Sequence, residues 1–304
     1  MNLRAAAVDI GTNSCRLLIA ESDKKSDKSF DILCRNLEIT RLGEGVDQNK
    51  SLKEKAVNRV FNVLKKYKEI ADKFKVDSIR VVGTSALRDV KNSHLLAEKI
   101  SDLGLELEII SGEKEAELNY LGAVSNLEDD FLLIDIGGGS TEFIWSDSSE
   151  INFKSLDIGC VRMTEKFISN PEKKISSAEI NKIKNYVNDL LLKELKLNKK
   201  FKVKGVGGTI TTLAAVKLKL EVYDSSKIEN LKLKYSELEK TMDRLTELNL
   251  EARKKVKGLQ PKRADIIVSG LIILLTIMKY INSKQLYVSD HDLLYGLLKE
   301  ELFN

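Results

Sequence analysis

Proline is almost absent from the chain, at 2 residues in 304, where an average protein of that length carries roughly 15. Long irregular or polyproline segments are therefore disfavoured, and most of the chain is expected to be helix or strand. Cysteine is nearly as scarce. Cys15, Cys34 and Cys160 are odd in number and show no Cys-x-x-Cys spacing, which argues against a disulfide framework and against a thiolate metal site. With His94 and His291 as the only histidines, His-ligated zinc is disfavoured too. No apolar run approaches the roughly 20 residues that span a bilayer. The best candidate, Ile266 to Met278, is interrupted by Ser269, Gly270 and Thr276 and reads as a buried helix. The N-terminus places Asp9 where a signal peptide needs a continuing apolar stretch, so a cytoplasmic protein is expected. A net charge of +4 is too slight to mark a nucleic-acid or membrane-surface protein. Any catalysis must lean on carboxylates, hydroxyls, backbone amides, Arg and Lys.

What is present is an ordinary globular composition, 42% hydrophobic and 32% charged, long enough for two domains. Ala5 to Ile10 and Arg16 to Glu21 read as two strands joined by a tight turn. Ser51 to Glu54 has the pattern of a capping box before a long amphipathic helix running to Phe74. Strands at Ile79 to Val82 and Leu105 to Ile110 follow, with helices from Ser93 and over Glu113 to Val124. The order is α/β. The first pattern then recurs: AAAVDIGTNSCRLLIAE aligns with FLLIDIGGGSTEFIWSD, Asp9 on Asp135 and Gly11 on Gly137, which marks an internal duplication. Further capping boxes are read at Ser176 to Glu179 and Ser236 to Glu239, a strand at Val203 to Val206, and a last helix from about Asp290.

The repeated element suits a phosphate grip. Glycines let backbone N–H groups approach an anion, and hydroxyl and amide side chains add donors to the same concavity. The candidates are Gly11, Thr12, Asn13 and Ser14 in the first copy, Gly137, Gly138, Gly139, Ser140 and Thr141 in the second, and a third turn at Gly207, Gly208 and Thr209. An Asp at each strand end suits Mg²⁺, which takes a few carboxylate oxygens and keeps waters. Since a strand follows each Asp-Ile-Gly turn, the pattern is neither a dinucleotide fingerprint nor a P-loop, and the phosphate is expected on hairpin turns.

Asp9-Ile-Gly-Thr-Asn-Ser14, Gly83-Thr-Ser-Ala-Leu-Arg88, Ser111-Gly-Glu-Lys-Glu-Ala116, Asp135-Ile-Gly-Gly-Gly-Ser-Thr-Glu142, Gly205-Val-Gly-Gly-Thr209 and Arg263-Ala-Asp265 stand in the order seen in the exopolyphosphatase and guanosine pentaphosphate phosphohydrolase family. The chain resembles a short member of that family without its C-terminal helical domains. The resemblance implies an α/β fold of two duplicated actin-like, sugar-kinase-like (ribonuclease H-like) domains with a cleft between them that closes on the ligand. They would span 1–124, completed by the C-terminal helix 289–304, and 125–288. It implies an Mg²⁺-dependent hydrolase that releases orthophosphate from inorganic polyphosphate or from guanosine pentaphosphate, with no nucleic-acid or membrane partner, acting as a homodimer. Competing readings are a kinase or a nucleotide-gated module of the same fold. Catalysis falls on Glu115, which would deprotonate the attacking water, with Asp135 and the phosphate-contacting Arg88. Metal binding falls on Asp9, Asp135 and Glu142. Without the resemblance, Glu113, Glu115 and Glu117 are residues that a helix start favours in any case.

Arginine is rare, 11 against 39 lysines, and Arg16, Arg41, Arg88, Arg162 and Arg263 lie in or beside these motifs. A bidentate guanidinium fork suits phosphate in a way an ammonium does not. Two cationic rows suit a polyanion: Lys196, Lys199, Lys200, Lys202 and Lys204, and Arg253, Lys254, Lys255, Lys257, Lys262 and Arg263. With aromatics at 6%, no obvious aromatic cluster is available for a guanine. One stretch departs from the family: Ser289-Asp-His-Asp-Leu-Leu-Tyr-Gly296 carries Asp292 and Leu294 where the family tends to have Gly and Arg, and His291 reads as a surface residue at a helix start.

Overall fold

The computed structural model describes residues 2–22, 29–123, 131–147, 150–197 and 200–303. Lys199 and Val124 lie outside the described residues. The chain divides into two compact units, residues 1–125 with 291–304, and residues 126–290.

The first unit comprises β1 (Leu3–Ile10), β2 (Ser14–Ser22), β3 (Asp31–Ile39), α1 (Val46–Asn49), α2 (Glu54–Phe74), β4 (Ser78–Gly83), α3 (Ser85–Arg88), α4 (His94–Ser101), β5 (Leu107–Ile109) and α5 (Gly112–Ala123). The second contains β6 (Phe131–Ile136), β7 (Thr141–Asp147), β8 (Glu150–Leu156), α6 (Cys160–Phe167), α7 (Ser177–Glu194), β9 (Lys202–Val206), α8 (Gly207–Leu218), α9 (Ser225–Ile228), β10 (Lys232–Lys234), α10 (Tyr235–Thr246), α11 (Leu250–Arg253), α12 (Ile267–Tyr280) and β11 (Gln285–Val288). The chain then returns to the first unit as α13 (Leu293–Phe303).

The duplication is plain in the sheets. The first has the order β3-β2-β1-β4-β5 and the second β10-β11-β9-β6-β7-β8, so β8-β7-β6-β9-β11 repeats the first order with β10 added at the edge. In each, a three-stranded antiparallel meander leads into parallel strands. Alternation along β1 sorts the first core into two layers. Ala6, Val8 and Ile10 pack with α2 and α4 on one face, while Ala5 and Ala7 meet Leu293, Leu294, Leu297 and Leu298 of α13 on the other. Asp9 belongs to that second face. In the second unit α12 is buried nearly all round, as its composition requires. Among the described residues no helix is long and apolar enough to cross a membrane.

Helices α5 and α13 approach closely because each offers a glycine. A Cβ at Gly296 would lie 2.0 Å from the Leu118 carbonyl oxygen, and one at Gly122 would lie 2.1 Å from that of Asp292.

Three helix starts differ from the sequence pattern. The Ser51 box does not form, because Asn92 donates to the Leu52 carbonyl and accepts from its N–H (3.1 and 2.8 Å), holding the segment extended until α2 begins at Glu54. Helix α10 starts two residues early, with Glu237 accepting from the Lys234 N–H, so Ser236 is not its cap. The Ser176 box does form at α7. Finally, Gly207 is no hairpin turn but the first residue of α8, at φ 84°.

Candidate active site

The two Asp-Ile-Gly turns are built alike. In each the glycine N–H donates to the carbonyl of the Ser three residues on, at 2.9 Å for Gly11 to Ser14 and 3.0 Å for Gly137 to Ser140. The carbonyls of both turns are then taken by protein donors. Asn13 O accepts from the N–H groups of Thr40 and Arg41, and Thr12 O from Gly43. Gly137 O accepts from Cys160, and Gly138 O from Val161 and Arg162, at the first turn of α6. Gly139 O accepts from Arg162 Nε at 2.7 Å. The carbonyls of Thr12, Asn13, Gly137, Gly138 and Gly139 are thus satisfied within the protein, as an anion cradle requires. Asn13 supplies a donor, since its buried Nδ2 has no hydrogen-bond partner in the protein. Ser140 is buried, and Thr141 Oγ1 donates to Ile158 O, so that hydroxyl holds the turn.

In the first unit, β1 ends with Asp9 opposite Arg16 in register. Arg16 Nε and Nη2 donate to Asp9 Oδ2 at 2.9 and 2.7 Å, and Nη1 donates to Asp292 Oδ2. All three side chains are largely buried. Burial raises the Asp9 carboxyl above its ordinary value, Arg16 opposes that, and Asp292 adds to it. Burial alone would lower Arg16, but Asp292 and Asp9 outweigh it and hold the guanidinium charged. The other Asp9 oxygen, Oδ1, is buried without a hydrogen-bond partner.

Glu115 projects from the first turn of α5 and is 8% exposed. Arg88, at the end of α3, donates through Nη1 to Glu115 Oε2 at 2.8 Å and to Ile110 O at 3.0 Å. Burial lifts the Glu115 carboxyl above its ordinary value despite the opposing Arg88, and the charges of Asp9 and Arg16 also act on it. Glu115, Arg88, Asp9, Arg16 and Asp292 therefore form one electrostatic group. A buried carboxylate poised upward in this way suits a general base.

In the second unit Asp135 and Glu142 pair across β6 and β7, on the sheet face opposite Ile134 and Phe143. The Asp135 carboxylate lies over the start of α8: a Cβ on Gly207 would sit 2.0 Å from Asp135 Oδ1. Glu142 is fully buried, and its Oε1 accepts from Ser155 Oγ at 2.8 Å. Arg263 covers the next residue, since a Cβ on Gly208 would lie 2.2 Å from its Nη1. Thr209 is turned into the interior, against Gly270 and Cys160.

Among the described residues no three His, Cys, Asp or Glu side chains cluster as a metal centre. Mg²⁺ needs less than that, because one or two carboxylates with waters and substrate oxygens suffice. The buried Oδ1 of Asp9, without a protein hydrogen-bond donor, and the carboxylate of Asp135 offer oxygens of that kind, one in each unit.

Other expected site residues fare differently. Arg253 is fully buried and donates to the carbonyls of Ala264, Pro171 and Lys173, so it belongs to the interior rather than to a cationic row. Lys254 and Lys257 pair with Glu251 and Glu221, and Arg263 is buried, which breaks up that row. Lys196, Lys200 and Lys202 are exposed. The sequence shows no aromatic cluster, yet the fold makes one: Tyr295 has Phe30 at 5.8 Å, His291 stacked at 4.1 Å and the Arg35 guanidinium at 5.7 Å from its ring centre. Sequence reasoning gave Asp292 no role in the site; no local pattern announces an ion pair that spans 276 positions.

A repeated sheet order with a glycine-hydroxyl hairpin closing each central strand defines a duplicated actin-like α/β protein. The Ppx/GppA phosphatase family matches residues 18–304. A bifunctional 3-dehydroquinate synthase/phosphatase of Fusobacterium nucleatum is 42% identical over the whole chain, which spans 47% of that relative's length. Exopolyphosphatase 2 of Mycobacterium tuberculosis is 32% identical over 97% of both chains. The crystal structure of the Ppx/GppA family member of Aquifex aeolicus superposes with a TM-score of 0.81 at 31% identity, over 99% of this chain and 98% of that one. The chain belongs to the Ppx/GppA phosphatase family and is a hydrolase.

Proposed function

We propose that the protein is an Mg²⁺-dependent exopolyphosphatase that releases orthophosphate from the end of linear inorganic polyphosphate. The observation that carries this reading is the buried Glu115 carboxylate, held on Arg88 and raised above its ordinary value within reach of the Asp9 and Arg16 charges. Glu115 takes the proton from a water as it attacks the terminal phosphorus, and the chain leaves as the shortened polyphosphate. Arg88 orients the carboxylate and meets phosphate oxygens. Backbone amides at Gly11 to Ser14, the Asn13 amide and the corresponding turn at Gly137 to Thr141 bind phosphate oxygens. Asp9 in the first unit and Asp135 in the second would each offer a carboxylate oxygen to Mg²⁺, which would supply charge neutralisation of the transferred group. Relatives named exopolyphosphatase support the substrate class. The test is orthophosphate release from long polyphosphate, tripolyphosphate, guanosine pentaphosphate and ATP, each with Mg²⁺. Turnover of polyphosphate ahead of the nucleotides is expected, and no release from any of the four overturns the reading.

A second reading, 5′-phosphohydrolysis of guanosine pentaphosphate, is favoured by the aromatic group at Tyr295, whose His291 adjoins Asp292 of the charged group. Faster turnover of that nucleotide, lost in His291→Ala, would select it.

A further inference from the structure

The charged group of the first unit is unbalanced. Asp9, Glu115 and Asp292 carry three negative charges against two positive ones on Arg16 and Arg88, and all five side chains are at least three-quarters buried. In the proposed reaction Asp9 has work at the turn and Glu115 on the attacking water. Asp292 has none. Its Oδ1 accepts the Leu294 N–H at 3.2 Å and its carbonyl accepts from Tyr295 and Gly296, so it is fixed as the cap of α13. From there Oδ2 takes the Nη1 edge of Arg16, the edge that Asp9 leaves open. A guanidinium already shared by two carboxylates has little attraction left for a third anion, and the surplus negative charge acts in surroundings where screening is weak.

We propose that Asp292 is a specificity-determining residue: by occupying Arg16 and adding the unmatched charge, it makes the Gly11 to Ser14 turn reject a bare phosphate chain and accept one that carries a divalent cation. The inference rests on the reading of this turn as the phosphate site. It explains why a site for anions keeps an excess of acid: the substrate's own Mg²⁺ supplies the missing positive charge. A chain stripped of metal is thereby held out.

The test is calorimetric binding of tripolyphosphate to the whole protein, in EDTA and in Mg²⁺. Wild-type affinity is expected to be more than tenfold higher with Mg²⁺. Asp292→Asn keeps a capping side chain and removes the charge, so its affinity in EDTA should rise about fivefold or more and its Mg²⁺-to-EDTA ratio should fall by the same factor. Asp292→Glu restores the charge and should restore the wild-type ratio. Equal ratios in wild type and Asp292→Asn, with unchanged melting curves, overturn the proposal. Orthophosphate release is followed on the same samples. A ratio that shifts as expected while the wild type releases no phosphate would keep the role of Asp292 and discard the hydrolase reading.

Discussion

The crossing of α5 and α13 offers a sharp mechanical test through Gly296→Ala. The new Cβ would lie 2.0 Å from the Leu118 carbonyl oxygen, against an ordinary C···O contact of about 3.3 Å. Since the obstacle is backbone, no rotamer change relieves it, and α13 must shift by roughly 1.3 Å. Overpacking of this kind costs about 1–3 kcal/mol, and an irreducible backbone clash belongs near the top of that range. Alanine regains about 1 kcal/mol of helix propensity over glycine. The net loss is then about 2 kcal/mol, which for a unit of this size lowers its midpoint by roughly 6–10 °C. The sole tryptophan, Trp145, lies on β7 of the second unit. Its fluorescence therefore follows that unit, while far-ultraviolet circular dichroism follows both. The dichroism transition should begin earlier in the variant. Gly122→Ala at the same crossing should cost less in the double variant than alone, because the helices are already parted. An unchanged dichroism midpoint, or a shift seen only through Trp145, refutes the close-packing argument.

Glu115→Gln should lower kcat by about 10²-fold or more; near-normal turnover would remove Glu115 as the base. In the wild type, burial holds the Glu115 carboxyl above 4.5, so activity should rise with pH through a limb lying above that value, and a limb at or below it counts against the assignment. Gly207→Ala meets both a φ of 84° and the Asp135 carboxylate at 2.0 Å; a loss of at least about 2 kcal/mol in urea unfolding is expected, together with weaker Mg²⁺ activation. At α7, partial burial alone would raise Glu179, but hydrogen bonds from Ser176 and Ser169 hold it down at about 2. Its stabilisation is present above 4.5 and lost as pH falls towards 2. Ser176→Ala should therefore cost about 1 kcal/mol at neutral pH, with the gap to wild type narrowing in acid; a gap independent of pH would contradict the box.

The duplicated hairpins were legible because their information is local: an apolar strand, Asp-Ile-Gly and a second strand recur in both halves, and the sheets repeat the same order. The buried α12 was legible from its composition. Features fixed by distant partners were not. Ser51 has the letters of a cap, but Asn92 keeps the chain extended beyond it. Arg253 sits among lysines in sequence and reads as a surface cation, whereas in the fold it is buried and donates to three carbonyls. The third glycine turn reads like the first two until the chain continues from it as a helix. Phe30, His291, Tyr295 and Phe303 become a cluster only because α13 returns to the first sheet.

That return also sets an order of events during synthesis. The first unit needs residues from both sides of the second, whose 126–290 stretch is continuous. On a ribosome, β1 to β5 emerge early with the apolar face of Ala5, Ala7, Leu18, Ala20 and Val82 uncovered, and the helix that covers it comes last. Throughout the interval that face is a surface for chaperones or for misplaced pairing with another nascent chain. The second unit has all of its strands in hand before then and can finish first, so the long connection that α13 must close is already compacted when α13 appears. Synonymous changes that slow translation between residues 126 and 290 would prolong the exposure, and slower translation after 290 would prolong it further. The yield of native protein should then depend on the tempo of translation as well as on the sequence it encodes.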